Sequence, residues 1–178
     1  MTNDDTQGGL RHAADKVMDT LGGMVGKAEA GMVNGAGGFV SNAGISDRYE
    51  ILAGEVAVQR GQSQAVRDIG QKMIDDHTDT SSKLAKAAAR SERVEPSDIP
   101  GELDTRRSRM IEHLRDAPAD KFDKTYVDQQ TLAHEEALTL MRHYGEEGDC
   151  PVLRSFAREV APVIEGHLQR MKELQSAM

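Results

Sequence analysis

The sequence contains no Trp, three Phe and three Tyr, so aromatic residues make up only 3% of its 178 positions. A stacking platform for single-stranded nucleic acid is therefore missing. The core must be aliphatic, with nine Met as adaptable filler. A single Cys excludes an intramolecular disulfide and a thiolate zinc finger. Basic residues are also scarce: 22 Lys and Arg against 30 Asp and Glu leave a net charge of −8, which opposes nucleic-acid binding. Long apolar runs are absent. The most apolar early stretch, residues 17–40, is broken by Asp19, Lys27 and Glu29, so it reads as neither a signal core nor a transmembrane segment. Residues 1–7 carry two Asp and no basic residue, the wrong sign for the start of a signal peptide, and the expected compartment is the cytoplasm. No Gly-x-Ser-x-Gly elbow, Cys-x-x-Cys pair or phosphate loop occurs, so no nucleophile for organic catalysis is visible.

What is present is helical periodicity. Residues 1–44 form a Gly-rich leader, with eight of the 17 Gly between positions 22 and 44. Gly density opposes a stable helix. Yet Leu10, Ala14, Val17, Leu21, Val25, Ala28 and Met32 recur at three- and four-residue steps, an amphipathic pattern. Small residues at Gly22, Gly26, Gly31 and Gly35 would let a second helix approach closely. The leader is thus either loose or a segment for self-association or a protein partner, through residues 10–40.

Residues 45–178 read as a bundle domain. Ser46 or Asp47 is placed to cap a first helix that runs to Arg60, and a second runs from about Ser63 to Ser91. Residues 93–101, with Pro96 and Pro100, form a connection, and residues 102–117 a short helix that faces inward at Met110, Ile111 and Leu114. Long helices then span about 121–144 and, after Gly145 and Gly148, from Pro151 onward. No alternating strand pattern appears. The predicted fold is all-α: two antiparallel helical hairpins joined by a long crossover that carries a short extra helix, a ferritin-like four-helix bundle.

Three of the six His, namely His77, His134 and His167, fall on the apolar stripes of three different long helices. The midpoint of His134 and His167 falls between Cys150 and Pro151, at the predicted turn; that of Glu50 and His77 falls at the break around Ser63. Residues equidistant from the turn of an antiparallel hairpin lie level, within about one turn or 5 Å. With the two hairpins aligned, one carboxylate and three imidazoles converge in the core. Buried ionisable groups need partners, and three neutral imidazoles with a carboxylate suit zinc, or iron with an open position. Met73, Met141 and Met171 lie nearby as soft ligands that would suit copper, a weaker match. The alternative is a metal-free structural or interaction protein, in which His, Glu50 and Gln130 or Tyr126 form a hydrogen-bonded layer that sets the register of the bundle.

Six blocks carry a resemblance: Phe39-Val40, Glu50 to Ala57, Met73-Ile-Asp-Asp-His77, Phe122-Asp-x-x-Tyr126, His134-Glu135 and Pro162-x4-His167-Leu168. In order and spacing the chain resembles a bacterial family labelled "domain of unknown function 4142", over about residues 39–175. The resemblance implies a ferritin-like bundle and places Glu50, His77, His134 and His167 at the family's motif positions, without implying a reaction. Members are often described as outer-membrane proteins, and many carry an export signal. The residues three before the core His are Ile74, Thr131 and Ile164, so the Glu-x-x-His pairs of a di-iron carboxylate site are missing. The functional expectation is metal handling or protection against oxidative or general stress.

Smaller signals have simpler readings. Arg106, Arg107 and Arg109, flanked by Asp104, Glu112 and Asp116, suggest a salt-bridged solvent face. Asp75, Asp76 and Asp79 suggest another, and His113 and His143 are expected to face solvent.

Overall fold

Six α-helices follow one another in the computed structural model, which describes residues 3–178, with side chains from residue 8 onward. They are α1 (Asn3–Ala30), α2 (Ala36–Arg60), α3 (Gln64–Ala89), α4 (Thr105–Asp116), α5 (Ala119–Glu147) and α6 (Pro151–Ser176). A single 3-10 turn, Pro96–Asp98, lies in the connection before α4, and no strand occurs among the described residues. The charge pattern read at residues 1–7 lies outside the described side chains.

Helices α2 and α3 pack as one hairpin, α5 and α6 as another, and the two hairpins meet through α2 against α5 and α3 against α6. Three-residue loops force each hairpin antiparallel. Ser63 caps α3 by accepting from the Val66 amide, and Asp104 caps α4 by accepting from the Arg107 amide at 2.6 Å. Pro151 occupies the first turn of α6, where its missing N–H costs nothing. Pro162 sits inside α6 without ending it.

The first bundle helix starts at Ala36, ten residues before the cap expected at Ser46 or Asp47. Burial explains the difference. Phe39 is fully buried and stacks on Tyr144 with ring centroids 4.0 Å apart, and Val40 and Ala43 bury beside it. An aromatic pair of this kind, added to the area it buries, outweighs the roughly 1 kcal/mol that each helical Gly costs. Ser46 and Asp47 therefore lie inside α2 and face inward.

The core divides in two. One apolar cluster holds Phe39, Leu84, Tyr144, Leu153, Phe156 and Val160; the other holds Tyr49, Met73, Met110, Leu114, Phe122 and Tyr126. Between them, on each long bundle helix, lies a polar position: Asp47 and Glu50 on α2, His77 on α3, His134 on α5 and His167 on α6.

Gly54 and Gly70 set the separation of α2 and α3. A Cβ on Gly54 would lie 2.7 Å from the Gly70 carbonyl oxygen, and one on Gly70 would lie 2.9 Å from the Ala57 Cβ. Neither neighbour can move without shifting a helix. Gly54→Ala is therefore expected to cost about 1–3 kcal/mol, the range for overpacking, read as a fall in the denaturant midpoint.

Most of the described leader is helical, as α1 and the start of α2, and α1 lies along α5 and α4. Its small residues do admit a second helix, which is the chain's own α5: a Cβ on Gly23 would lie 3.2 Å from Leu132, and one on Gly26 2.5 Å from Glu136. Glu136 is held there by Arg106 and Arg107, at 2.7 and 2.6 Å. Arg107 is buried, so the basic cluster is not the solvent face its sequence suggests. Glu136, two residues after His134, is its buried counter-charge. His113 also differs from expectation, donating or accepting at Asp19 (2.8 Å) in the seam between α1 and α4.

Candidate metal centre

Four helices deliver the polar layer. His77, His134 and His167 are each buried to below 5% exposure, and their ring centroids stand 5.4–5.7 Å apart. One ring nitrogen from each lies within 4.8 Å of those of the other two. The tertiary fold thus brings together the three histidines expected from the sequence. Glu50 is buried beside them but outside that group: its Oε1 is 3.6 Å from His134 Nδ1.

Each ring is fixed from behind. His77 Nδ1 pairs with Asp47 Oδ1 at 2.8 Å, His134 Nδ1 with the Gln130 carbonyl at 2.9 Å, and His167 Nε2 with Asp76 Oδ2 at 2.7 Å. Each remaining nitrogen (His77 Nε2, His134 Nε2 and His167 Nδ1) is buried without a partner among the protein's own groups. A histidine with one nitrogen tied to a carboxylate or carbonyl and the other free has the arrangement of a metal ligand, because the outer bond fixes the tautomer and aims the lone pair. Asp47 and Asp76 were not expected in this role. Asp47 lies three residues before Glu50, hence on the same helical face, a signal obscured by its resemblance to a cap. Asp76 precedes His77 and looks solvent-directed; only the packing of α6 against α3 gives it a partner.

Electrostatics favours neutral, ligand-competent imidazoles at two positions. Burial, reinforced by the neighbouring His77 and His167, holds His134 well below the ordinary histidine range. Burial also lowers His167, only partly offset by Asp76. Burial alone would lower His77 too, but the hydrogen bond and charge of Asp47 override it and raise its pKa. Glu50 is pushed by burial up to about 7, against the opposing charge of His77. Neither of its oxygens has a hydrogen-bond partner, and the same is true of the Tyr126 hydroxyl and both amide atoms of Gln130.

A family model described as "Domain of unknown function (DUF4142)" matches residues 24–174. The chain is a DUF4142 protein. The match spans the whole polar layer and the C-terminal part of α1 as well. No curated protein and no solved structure matches this DUF4142 chain. No helix among its described residues is long and apolar enough to cross a membrane.

A smaller expectation for the DUF4142 domain also meets the structure. Met73 and Met171 belong to one apolar cluster and Met141 to the other, so all three act as core packing.

Asp47→Asn tests the outer support of His77. It keeps size and removes the charge, and is expected to weaken metal binding by about 10–100-fold with the bundle still folded. Competition against a chromophoric chelator measures the change.

Proposed function

We propose that this DUF4142 domain binds one transition-metal ion, zinc or iron, through His77, His134 and His167, with Glu50 as the carboxylate that completes or adjoins the set. The observation that carries this reading is three buried histidines from three helices, with one ring nitrogen of each within 4.8 Å of the others, and each ring with one nitrogen held and the other without a partner. Burying a polar atom without a partner costs about 1–3 kcal/mol, and here several such atoms share one layer. A hydrogen-bonded, metal-free layer would instead have to pair Glu50, Gln130 and Tyr126 with one another or with the rings; none of their side-chain polar atoms makes a hydrogen bond, and Glu50 stands 3.6 Å from His134 Nδ1. Three histidines and a hard carboxylate suit zinc or iron better than copper(I), because the methionines are committed to packing.

Bound, the ion would supply either a cross-link between α3, α5 and α6 or, with an open position, redox chemistry. The protein's part is to hold the rings in one tautomer, exclude bulk water between two apolar clusters and balance charge with Asp47, Asp76 and Glu50. We infer a role in metal handling or protection against oxidative or general stress, on a ferritin-like pair of hairpins, in a cytoplasmic setting. The absence of Glu-x-x-His pairs separates it from di-iron carboxylate chemistry.

Elemental analysis of protein expressed with several metals available, then dialysed against a weak chelator, tests the proposal. About one equivalent of zinc or iron per chain is expected for a single site. Retention of no metal by a fully folded protein, with no melting change on adding zinc or iron, overturns it.

A further inference from the structure

Helix α1 docks on the bundle by the face that sequence patterning would assign to solvent. Its inward positions are Asp15, Asp19, Gly23, Gly26 and Ala30, at steps of three and four residues. Its apolar stripe points out: Leu10, Val17, Met18, Leu21, Met24 and Val25 are 55–70% exposed. With Met32 just beyond the helix, these make seven of the nine large apolar side chains left exposed among the described residues. On a helical projection at 100° per residue the six, together with Ala14 and Ala28, fill one arc of about 120° that contains no charge. Depletion of charge with retention of large apolar side chains is what marks the centre of an interface.

We propose that this face pairs with the same face of a second copy of the chain, as an antiparallel α1–α1 contact with two-fold symmetry. The stripe repeats at alternating steps of four and three residues, from Leu10 through Ala14, Val17, Leu21 and Met24 to Ala28, the spacing of a coiled-coil seam. Charge at its margin chooses the orientation. Arg11 and Glu29 are separated by about five helical turns and so stand on the same edge of the stripe. In an antiparallel pair the same edges of the two helices meet. Centred near Thr20, Arg11 of each copy, which reaches Asp116 of its own chain at 3.1 Å through an exposed pair, stands level with Glu29 of the other. At roughly 100 Å² for a whole side chain of this size, the exposed portions offer on the order of 400 Å² per copy, the size of the largest and often functional patch on a monomer. A facing pair covers about 800 Å² of apolar surface, which places it among weak, reversible pairings.

Lipid is the competing occupant. All three basic residues of α1 are already paired with carboxylates of the bundle, Arg11 on Asp116 at 3.1 Å, Lys16 on Asp128 at 2.6 Å and Lys27 on Glu135 at 3.0 Å. The net charge of −8 opposes an anionic surface as well.

Light scattering on the eluting full chain, from about 1 to 100 µM, tests the pairing. A dimer is expected, and Leu21→Glu should leave a monomer throughout that range with unchanged helical content. Cysteine cross-linking provides a second readout: Leu21→Cys, near the two-fold axis, should oxidise to a disulfide-linked dimer, and Leu10→Cys, about 30 Å from its counterpart, should not. Arg11→Glu should weaken the dimer and added Glu29→Arg restore it. A monomer at every concentration overturns the proposal, as does a dimer indifferent to Leu21→Glu or equal cross-linking at Leu10→Cys. Flotation of a monomer with phosphatidylcholine vesicles, with or without phosphatidylserine, would assign the face to lipid and overturn it too.

Discussion

Replacing His134 with alanine is expected to abolish metal binding. His134 is the most enclosed of the three rings, held neutral by burial and fixed by the Gln130 carbonyl, and two histidines from different helices make a poor site without it. A ligand present at a thousand times its dissociation constant stabilises the folded state by about 4 kcal/mol. The wild type should therefore melt at a higher temperature when zinc or iron is supplied and lose that gain to a chelator. The His134→Ala protein should show neither change. Calorimetric titration and thermal melts, each with and without chelator, make the comparison. His134→Gln, which keeps a polar side chain of similar bulk, guards against a variant that fails to fold. Retention of a full metal equivalent by either variant would remove the three-histidine site from consideration.

Glu50→Gln is expected to act in opposite directions on the metal-free and metal-bound proteins. The Glu50 carboxyl rises from 4.5 to about 7 on burial. Below about pH 4.5 both folded and unfolded chains hold this proton, and Glu50 adds no pH dependence. Between 4.5 and 7 the folded chain keeps a proton that the unfolded chain releases, so stability falls as pH rises. Above 7 the folded chain carries the buried carboxylate, at a full cost of about 3 kcal/mol. Glutamine cannot ionise. The metal-free variant should thus match the wild type near pH 4.5 and exceed it by about 3 kcal/mol at pH 8, measured by denaturant unfolding in chelator. His134 and His167 pull the other way, because their lowered pKa values make both proteins lose stability as pH falls through 6.5. Both proteins share that slope, so the difference between them reports Glu50 together with His77, whose pKa the Glu50 charge helps to raise. In the metal-bound protein the carboxylate gains a cation, and Glu50→Gln should weaken zinc binding. A stability difference that does not grow between pH 4.5 and 8 would mean Glu50 is not held as a buried carboxyl.

Much of this was legible from residue order. Hydrophobic periodicity gave the all-helical class, the turns at residues 61–63 and 148–150 and the inward faces of α3, α5 and α6, because a helix that must bury one side repeats its apolar residues every three or four positions. The same periodicity singled out His77, His134 and His167, since a titratable residue on an apolar stripe is conspicuous. Distance from the turn then placed His134 level with His167, and His77 level with Glu50, while the alignment of the two hairpins came from their packing. Periodicity misleads where burial is not apolar. α1 shows a clean apolar stripe, yet it docks by its glycines, because close backbone approach and the Arg107–Glu136 pair fix its orientation on α5. α2 begins early because Phe39 has Tyr144 to stack on, a partner from another helix that no local propensity registers.

The sequence by itself therefore determined the helices of the bundle, where the chain reverses and which residues lie level within each hairpin, His134 with His167 and Glu50 with His77, all consequences of local periodicity and chain connectivity. Only the tertiary structure decided that Asp47 and Asp76 hold two of those rings, that Glu50 stands beside the trio instead of within it, and that α1 turns its apolar face outward. These depend on how helices rotate and approach one another, which is set by side-chain volume and charge pairing across the core, between residues 30 to more than 100 positions apart.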